Sequence, residues 1–373
     1  MRDVPPLHVE GNADKVCTYL RNHHPEVDFL YISDSHDLRW LTGFSGSNGF
    51  GILEVAIAHS YLCTDSRYEE QARSEADRTG AQIDICIIGN DRSEEQIRKE
   101  VISGGSLGLD DRSVTAHRFR QLSEDHNVVT FDSPLNELRR VKNESELARM
   151  QLAANIADEA VRVVIAQGLV DRSEREIQAE LDYQMLLLGA DAPSFSTIVA
   201  AGANAAMPHH RPTDYRVTRS DYVLVDVGAE VDGYHSDMTR TIRVDQASGE
   251  ISAMLEITQL AQNAALQEVR SGALTTDIDD AARKVFAESN LSEFFTHGLG
   301  HGVGLAIHEE PFLSRRPGTT LVEGEVVTVE PGLYRVGVGG VRIEDLVVVT
   351  KDGYRTLTNT RKDVSCPRSA QTI

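Results

Sequence analysis

Four carboxylates and one histidine stand in apolar or glycine-rich stretches of this chain, where such side chains are costly unless they are paired or bound to metal. They are Asp226 in Tyr222-Val-Leu-Val-Asp-Val-Gly228, Asp237 in His235-Ser-Asp-Met-Thr-Arg240, His301 in His297-Gly-Leu-Gly-His-Gly302, Glu330 in Val326-Val-Thr-Val-Glu-Pro331 and Glu344 in Val341-Arg-Ile-Glu-Asp345. Acids gathered together repel, and the repulsion asks for compensating positive charge. A pair of divalent cations balances four carboxylates. Oxygen ligands with a single nitrogen suit manganese, cobalt, iron or zinc better than a thiolate-bound metal. The competing reading makes these ordinary strand-end acids paired with Arg240, Arg243 and Arg342. It serves for any one acid, but poorly for all five residues in this arrangement.

Strands must position them. Residues 222–230 and 234–244 read as a hairpin around Val231-Asp232-Gly233, which sets Asp226 and Asp237 opposite or diagonal on the ladder. Residues 325–335 and 341–349 flank the glycine-rich turn Gly337-Val-Gly-Gly340, with Glu330 and Glu344 symmetric about it. His297 and His301 would share one strand face, as would Arg342 and Glu344, since side chains alternate with period two. The alternating glycines 298, 300, 302 and 304 lack a dinucleotide-binding context and suit close approach of backbone to metal or substrate.

These motifs resemble, in order and spacing, the metal-binding pattern of the creatinase and methionine aminopeptidase family with its pita-bread fold. Within it the chain is most similar to the Xaa-Pro peptidases, aminopeptidase P and prolidase; Arg39-Trp-Leu-Thr-Gly-Phe-Ser-Gly46 resembles a loop of that family's amino-terminal domain. The resemblance implies two divalent ions, manganese first. Asp226 would chelate one, Asp237 and Glu344 would bridge both, and His301 and Glu330 would complete the other. It further implies hydrolysis by a metal-bridging hydroxide, with Glu330 as proton acceptor. His308 would contact the carbonyl oxygen, His209 would lie near the leaving nitrogen and His297 would line the proline side. Arg342, two residues before Glu344 and so on the same strand face, would fix that carboxylate or a substrate group. The expected substrates are proline-containing peptides and the expected assembly a homodimer. His36, Asp37 and Trp40 would cap a neighbouring subunit's site, or else pack locally.

Dipeptidase and aminopeptidase are harder to separate. Prolidases often carry an Arg after the His-Glu-x-Pro segment; here His308-Glu-Glu-Pro311 is followed by Phe312, with Arg315 and Arg316 further on. That departure leans toward an aminopeptidase P-like enzyme, with prolidase as the alternative. A non-catalytic module would tend to lose ligands, and this chain keeps all five. The long amino-terminal region weakens a methionine aminopeptidase.

The 373 residues suffice for two domains. Strand and helix alternate through strands near 28–33, 49–55, 60–64, 83–88 and 107–109 and helices near 12–22, 66–77, 93–102 and 115–122. This gives an α/β amino-terminal domain over 1–132 and a linker over 133–142. Helices from Asn143-Glu-Ser-Glu146 and from the capping box Ser173-Glu-Arg-Glu176, with others near 248–270 and 277–289, then join hairpins in an α+β catalytic domain over 143–373 with a central antiparallel sheet. A net charge of −21, from 37 basic and 58 acidic residues, argues against nucleic acid and anionic membranes as partners. No apolar run approaches spanning length, and the start lacks a signal core. Cys17, Cys63, Cys86 and Cys366 show no metal-type spacing and suit free thiols in a reducing cytoplasm, with Cys366 expected to be exposed in a polar tail.

Overall fold

The computed structural model describes residues 4–89, 91–245, 249–315 and 317–366. The chain forms two compact units that divide between Arg139 and Arg140.

The first unit is built on a six-stranded mixed sheet. From edge to edge it runs Ile83–Ile88, His59–Asp65, Gly49–Glu54, Phe29–Ile32, Ser106–Asp110 and Asn127–Phe131. The hairpin of 49–54 with 59–65 and its pairing with 29–32 are antiparallel, and the other pairings are parallel, with a single helix carrying the crossover to each edge strand. Some of its helix starts are capped by side chains. Ser93 and Gln96 form a reciprocal capping box, and Thr115 accepts from the Arg118 N–H. The helix Ser35–Thr42 and the strand Asn127–Phe131 escape the sequence patterns. Asp37 and Trp40 lie buried within this unit, Asp37 paired with Arg139, while His36 stays partly exposed. Two of the three residues expected to cap a site are thus spent on local packing.

In the second unit, helices Glu144–Ala166 and Glu174–Leu187 each open on a capping box, Asn143 with Glu146 and Ser173 with Glu176. They cover a three-stranded antiparallel sheet of Ile198–Ala201, Tyr222–Val227 and Met238–Arg243. Helices Gly249–Glu268 and Thr275–Glu288 cover a five-stranded antiparallel sheet; Ser248, expected to open the former, lies outside the described residues. That sheet runs Glu309–Leu313, Gly300–Gly302, Val326–Val329, Asp345–Val349 and Tyr354–Thr356. A two-stranded ladder of Gly332–Arg335 with Gly339–Arg342 extends it.

Alternation sorts the side chains of the central strands. Val223, Val225 and Val227 enter the core beneath the first helix pair, while Leu224 and Asp226 point to the other face. A one-residue slip in register would drive Asp226 into that core, so the valines lock the acid in place. Val327 and Val329 do the same beneath the second helix pair and leave Thr328 facing the opposite way.

Cys366 is buried and packs on the first core, because the backbone from Val364 to Cys366 bonds alongside Arg243. The expectation of an exposed thiol there is corrected: pairing with a strand more than a hundred residues earlier leaves no local signal. Among the described residues no helix is long and apolar enough to cross a membrane.

Candidate active site

The first hairpin turns at Asp232 and Gly233, both in the left-handed region at φ 51° and 80°, as a two-residue hairpin loop requires. The strands are not continuous through it. Residues 229–231 and 234–235 leave the main ladder for a separate small sheet. Gly228 allows the break, because a Cβ there would strike the Ser236 carbonyl oxygen. Thr239 lies opposite Asp226, which puts Asp237 on the diagonal.

In the second hairpin, the ladders 326–329 with 345–348 and 332–335 with 339–342 share one register. That register brings Glu330 and Glu344 to facing positions where the strands break between them. The two hairpins are stitched together directly. The Glu344 N–H donates to the Thr239 carbonyl at 3.1 Å, the Thr239 hydroxyl donates to Glu344 Oε2 at 2.7 Å, and the Arg342 N–H donates to Thr241 Oγ1 at 3.1 Å.

His301 completes the cluster. Its N–H donates to Thr328 Oγ1 at 3.0 Å, and the Thr328 hydroxyl donates to Glu330 Oε1 at 3.1 Å. Only 300–302 is strand, so the alternation argument for His297 does not hold, yet both histidines line one cavity. His301 Nδ1 lies 3.0 Å from the Gly302 carbonyl and donates to it, which turns Nε2 toward the acids. Nε2 is 3.3 Å from Glu330 Oε1 and 3.7 Å from Asp237 Oδ2. Ligand atoms of Asp237, His301 and Glu344 all lie within 4.8 Å of one another. Gly300 is needed for a different close approach than expected: a side chain there would run into the Thr328 carbonyl of the neighbouring strand.

Burial and mutual repulsion dominate the electrostatics. Asp237 is pushed well above the usual carboxylate range by burial, then by Glu344 and Asp226; Glu344 is pushed up by burial, Glu330 and Asp226. Asp226 is raised by burial against the opposing pull of Arg342. Burial would raise Glu330 too, but its hydrogen bond to His301 and the charges of His301, His297 and Arg342 win and hold it at about 2. His301 is raised by its bond to Glu330 despite burial, whereas His297 and His308 are lowered chiefly by burial.

Arg342 takes a different post from the one expected. It donates to Asp226 Oδ2 at 2.6 Å, to the Tyr334 hydroxyl at 2.8 Å and through Nε to Thr239 Oγ1 at 2.9 Å, and so reaches Glu344 only by way of Thr239. Tyr334 in turn donates to His297 Nε2 at 3.0 Å, while His297 Nδ1 donates to the Gly298 carbonyl at 2.7 Å. His308 lies against His301, ring centroids 4.3 Å apart. Sequence reasoning missed Thr239, Thr328 and Tyr334. Thr239 follows Asp237 by two and Thr328 precedes Glu330 by two, so strand alternation contained that signal.

The residues fit divalent cations. Buried acids crowd one imidazole whose Nε2 is aimed at them, and Asp226 Oδ1 is buried without a hydrogen-bond partner among the described residues. Asp226, Asp237, His301, Glu330 and Glu344 all line a cavity of about 820 Å³, together with His209, His297, His308 and Arg342. Phe195, Ile198, Ile307 and Phe312 give it apolar wall. Arg315 is not among its lining residues, and Arg316 lies outside the described residues.

Comparison with known proteins agrees with this geometry. The profile of metallopeptidase family M24 matches residues 148–351, and that of the creatinase/prolidase N-terminal domain matches residues 14–141. The chain belongs to metallopeptidase family M24. Its second unit therefore has the pita-bread fold and its first the creatinase-type amino-terminal fold. An Xaa-Pro dipeptidase of Pyrococcus horikoshii is 33% identical over 91% of this chain and 94% of its own. The solved Xaa-Pro dipeptidase from Bacillus anthracis superposes with a TM-score of 0.88 at 32% identity, covering 95% of this chain and 99% of that one. An X-Pro aminopeptidase from Thermotoga maritima superposes at 0.84 with 31% identity, over 91% and 97%. This M24 enzyme is a metallopeptidase, and divalent metal is its cofactor class.

Proposed function

We propose that this M24 metallopeptidase hydrolyses the Xaa-Pro bond of dipeptides, using two divalent cations held by Asp226, Asp237, His301, Glu330 and Glu344. The convergence of Asp237, His301 and Glu344 within 4.8 Å supports the metal reading. Similarity along nearly the whole chain to Xaa-Pro dipeptidases of Pyrococcus horikoshii and Bacillus anthracis favours dipeptidase over the aminopeptidase P-like activity expected from Phe312.

When bound, such cations supply Lewis-acid chemistry, acidifying water and polarising a carbonyl. The protein's own groups divide the remaining work. Glu330, kept ionised at neutral pH by its bond to His301, would act as a ligand and as the proton acceptor. His308, lowered by burial and by His301, stays neutral and offers an N–H to the carbonyl oxygen. His297 is fixed by Tyr334 and the Gly298 carbonyl and presents a ring edge to the proline side, where Phe195, Phe312 and Ile307 exclude water. His209, exposed on the cavity rim, serves the leaving nitrogen. A proline amide carries no N–H, so recognition has to rest on the carbonyl and the ring.

The test offers Ala-Pro and Ala-Pro-Ala to protein loaded in turn with manganese, cobalt, iron and zinc. Hydrolysis of the dipeptide in preference supports the reading. Turnover of the tripeptide alone restores the aminopeptidase, for which the likeness to the Thermotoga maritima structure speaks.

A further inference from the structure

A dipeptide ending in proline carries a free carboxylate one residue past the bond to be cut. It must bring that charge into a cavity whose four acids already balance the bound cations, on a chain of net charge −21. Binding therefore needs a cation that is not already neutralised.

The cavity lining holds three arginines, Arg175, Arg211 and Arg342. Arg342 is spent on Asp226, Tyr334 and Thr239. Arg175 is shared between Asp214, at 3.3 Å, and the Pro212 carbonyl, at 3.2 Å. Arg211 has no hydrogen-bond or ion-pair partner among the described residues. The strand after His308-Glu-Glu-Pro311 adds no cation, since Phe312 stands there.

The backbone beneath Arg211 is fixed on both sides. Glu174, fully buried, accepts from His210 Nε2 at 2.8 Å and from Thr213 through its N–H at 2.8 Å and its hydroxyl at 2.7 Å. The same carboxylate accepts from the Ala201 N–H at 2.8 Å and from Asn204 at 3.0 Å, which ties the loop to the sheet. Pro212 restricts its own φ and disfavours helical backbone at Arg211. The guanidinium thus projects from a stem clamped at residues 210 and 213.

We propose that Arg211 binds the carboxylate of the Xaa-Pro dipeptide and sets the preference for substrates that end at proline. This rests on the dipeptidase reading above. A planar guanidinium matches a carboxylate with two parallel hydrogen bonds, which an amide terminus cannot reproduce.

The test compares Ala-Pro with Ala-Pro amide for the wild type, Arg211→Ala, Arg211→Lys and Arg315→Ala, all loaded with one divalent metal and assayed at equal metal content. The expected result is a roughly tenfold or greater rise in KM for Ala-Pro in Arg211→Ala, with kcat little changed and the amide unaffected. Arg211→Lys recovers part of the loss, and Arg315→Ala behaves as wild type. A wild type that prefers Ala-Pro while Arg211→Ala keeps the same acid-to-amide ratio overturns the assignment and leaves the dipeptidase reading standing. A wild type that cleaves only longer peptides overturns both.

Discussion

Arg342 donates to Asp226 at 2.6 Å, so one of the four acids of the cluster is held by a guanidinium rather than left to a cation alone. The remaining acids repel one another, with Asp237 and Glu344 raised well above their ordinary values. In the metal-free site these acids repel one another, and cations bound there would relieve that repulsion. Removing the guanidinium strands a buried charge. Arg342→Ala is expected to destabilise the metal-free protein by roughly 3–5 kcal/mol. Saturating divalent metal should recover part of that loss. Chemical denaturation with and without metal measures both, and an equal loss in the two states contradicts the compensation.

The same repulsion fixes a pH dependence. In the folded, metal-free protein Asp237 and Glu344 keep protons that the unfolded chain gives up near 3.8 and 4.5. Their stabilising contribution is full below those values and is lost as pH rises through the raised folded values. Glu330, depressed to about 2, acts oppositely: its contribution is present above its unfolded value of 4.5 and is lost as pH falls toward 2. Between about pH 5 and pH 8 the raised pair governs, so the metal-free Tm should fall as pH rises. Cations must displace those protons, so the metal-induced gain in Tm should grow with pH. Melting curves across that range decide it; a metal-induced gain that grows on acidification contradicts it.

Neutralising a ligand separates charge from shape. Asp237→Asn should stabilise the metal-free protein, because an amide of nearly the same volume is neutral beside Glu344 and Asp226 without having to retain a proton. It should also weaken metal binding by more than the roughly 10–100-fold that outer-sphere partners carry. Calorimetric titration with manganese checks the second effect and thermal melting the first. A variant with unchanged metal affinity removes Asp237 from the ligand set.

His308 lies against His301 and is kept neutral by burial and by that neighbour. If its N–H stabilises charge on the substrate carbonyl oxygen, His308→Ala should lower kcat by roughly 10²–10³-fold with metal content unchanged. Steady-state kinetics beside elemental analysis checks this. An undiminished kcat returns His308 to a packing role.

The fold was largely legible where the pattern is local. Ser173 with Glu176, the valines flanking Asp226 and the turn at Asp232-Gly233 each carry their own signal, and each forms as read. Long-range pairing was not legible. Cys366 is buried through bonds to Arg243, and Asp37 through Arg139, contacts between residues far apart in sequence. Adjacent histidines are not told apart by pattern either: both line the cavity, but His210 is buried and bonded to Glu174 while His209 is exposed. Arg342 ends one strand and Glu344 falls in the break before the next, and the length of Arg342 carries its guanidinium across to Asp226 on the other hairpin, which no spacing rule registers.

The most direct test counts the ions. Protein stripped with a chelator is titrated with manganese and followed by calorimetry and elemental analysis, in the wild type and in an Asp237→Asn, Glu344→Gln double variant. The account predicts two ions per wild-type chain, peptidase activity that rises with their uptake, and loss of both in the double variant. A wild type that is fully active with no bound ion, or a double variant that still binds two, contradicts it.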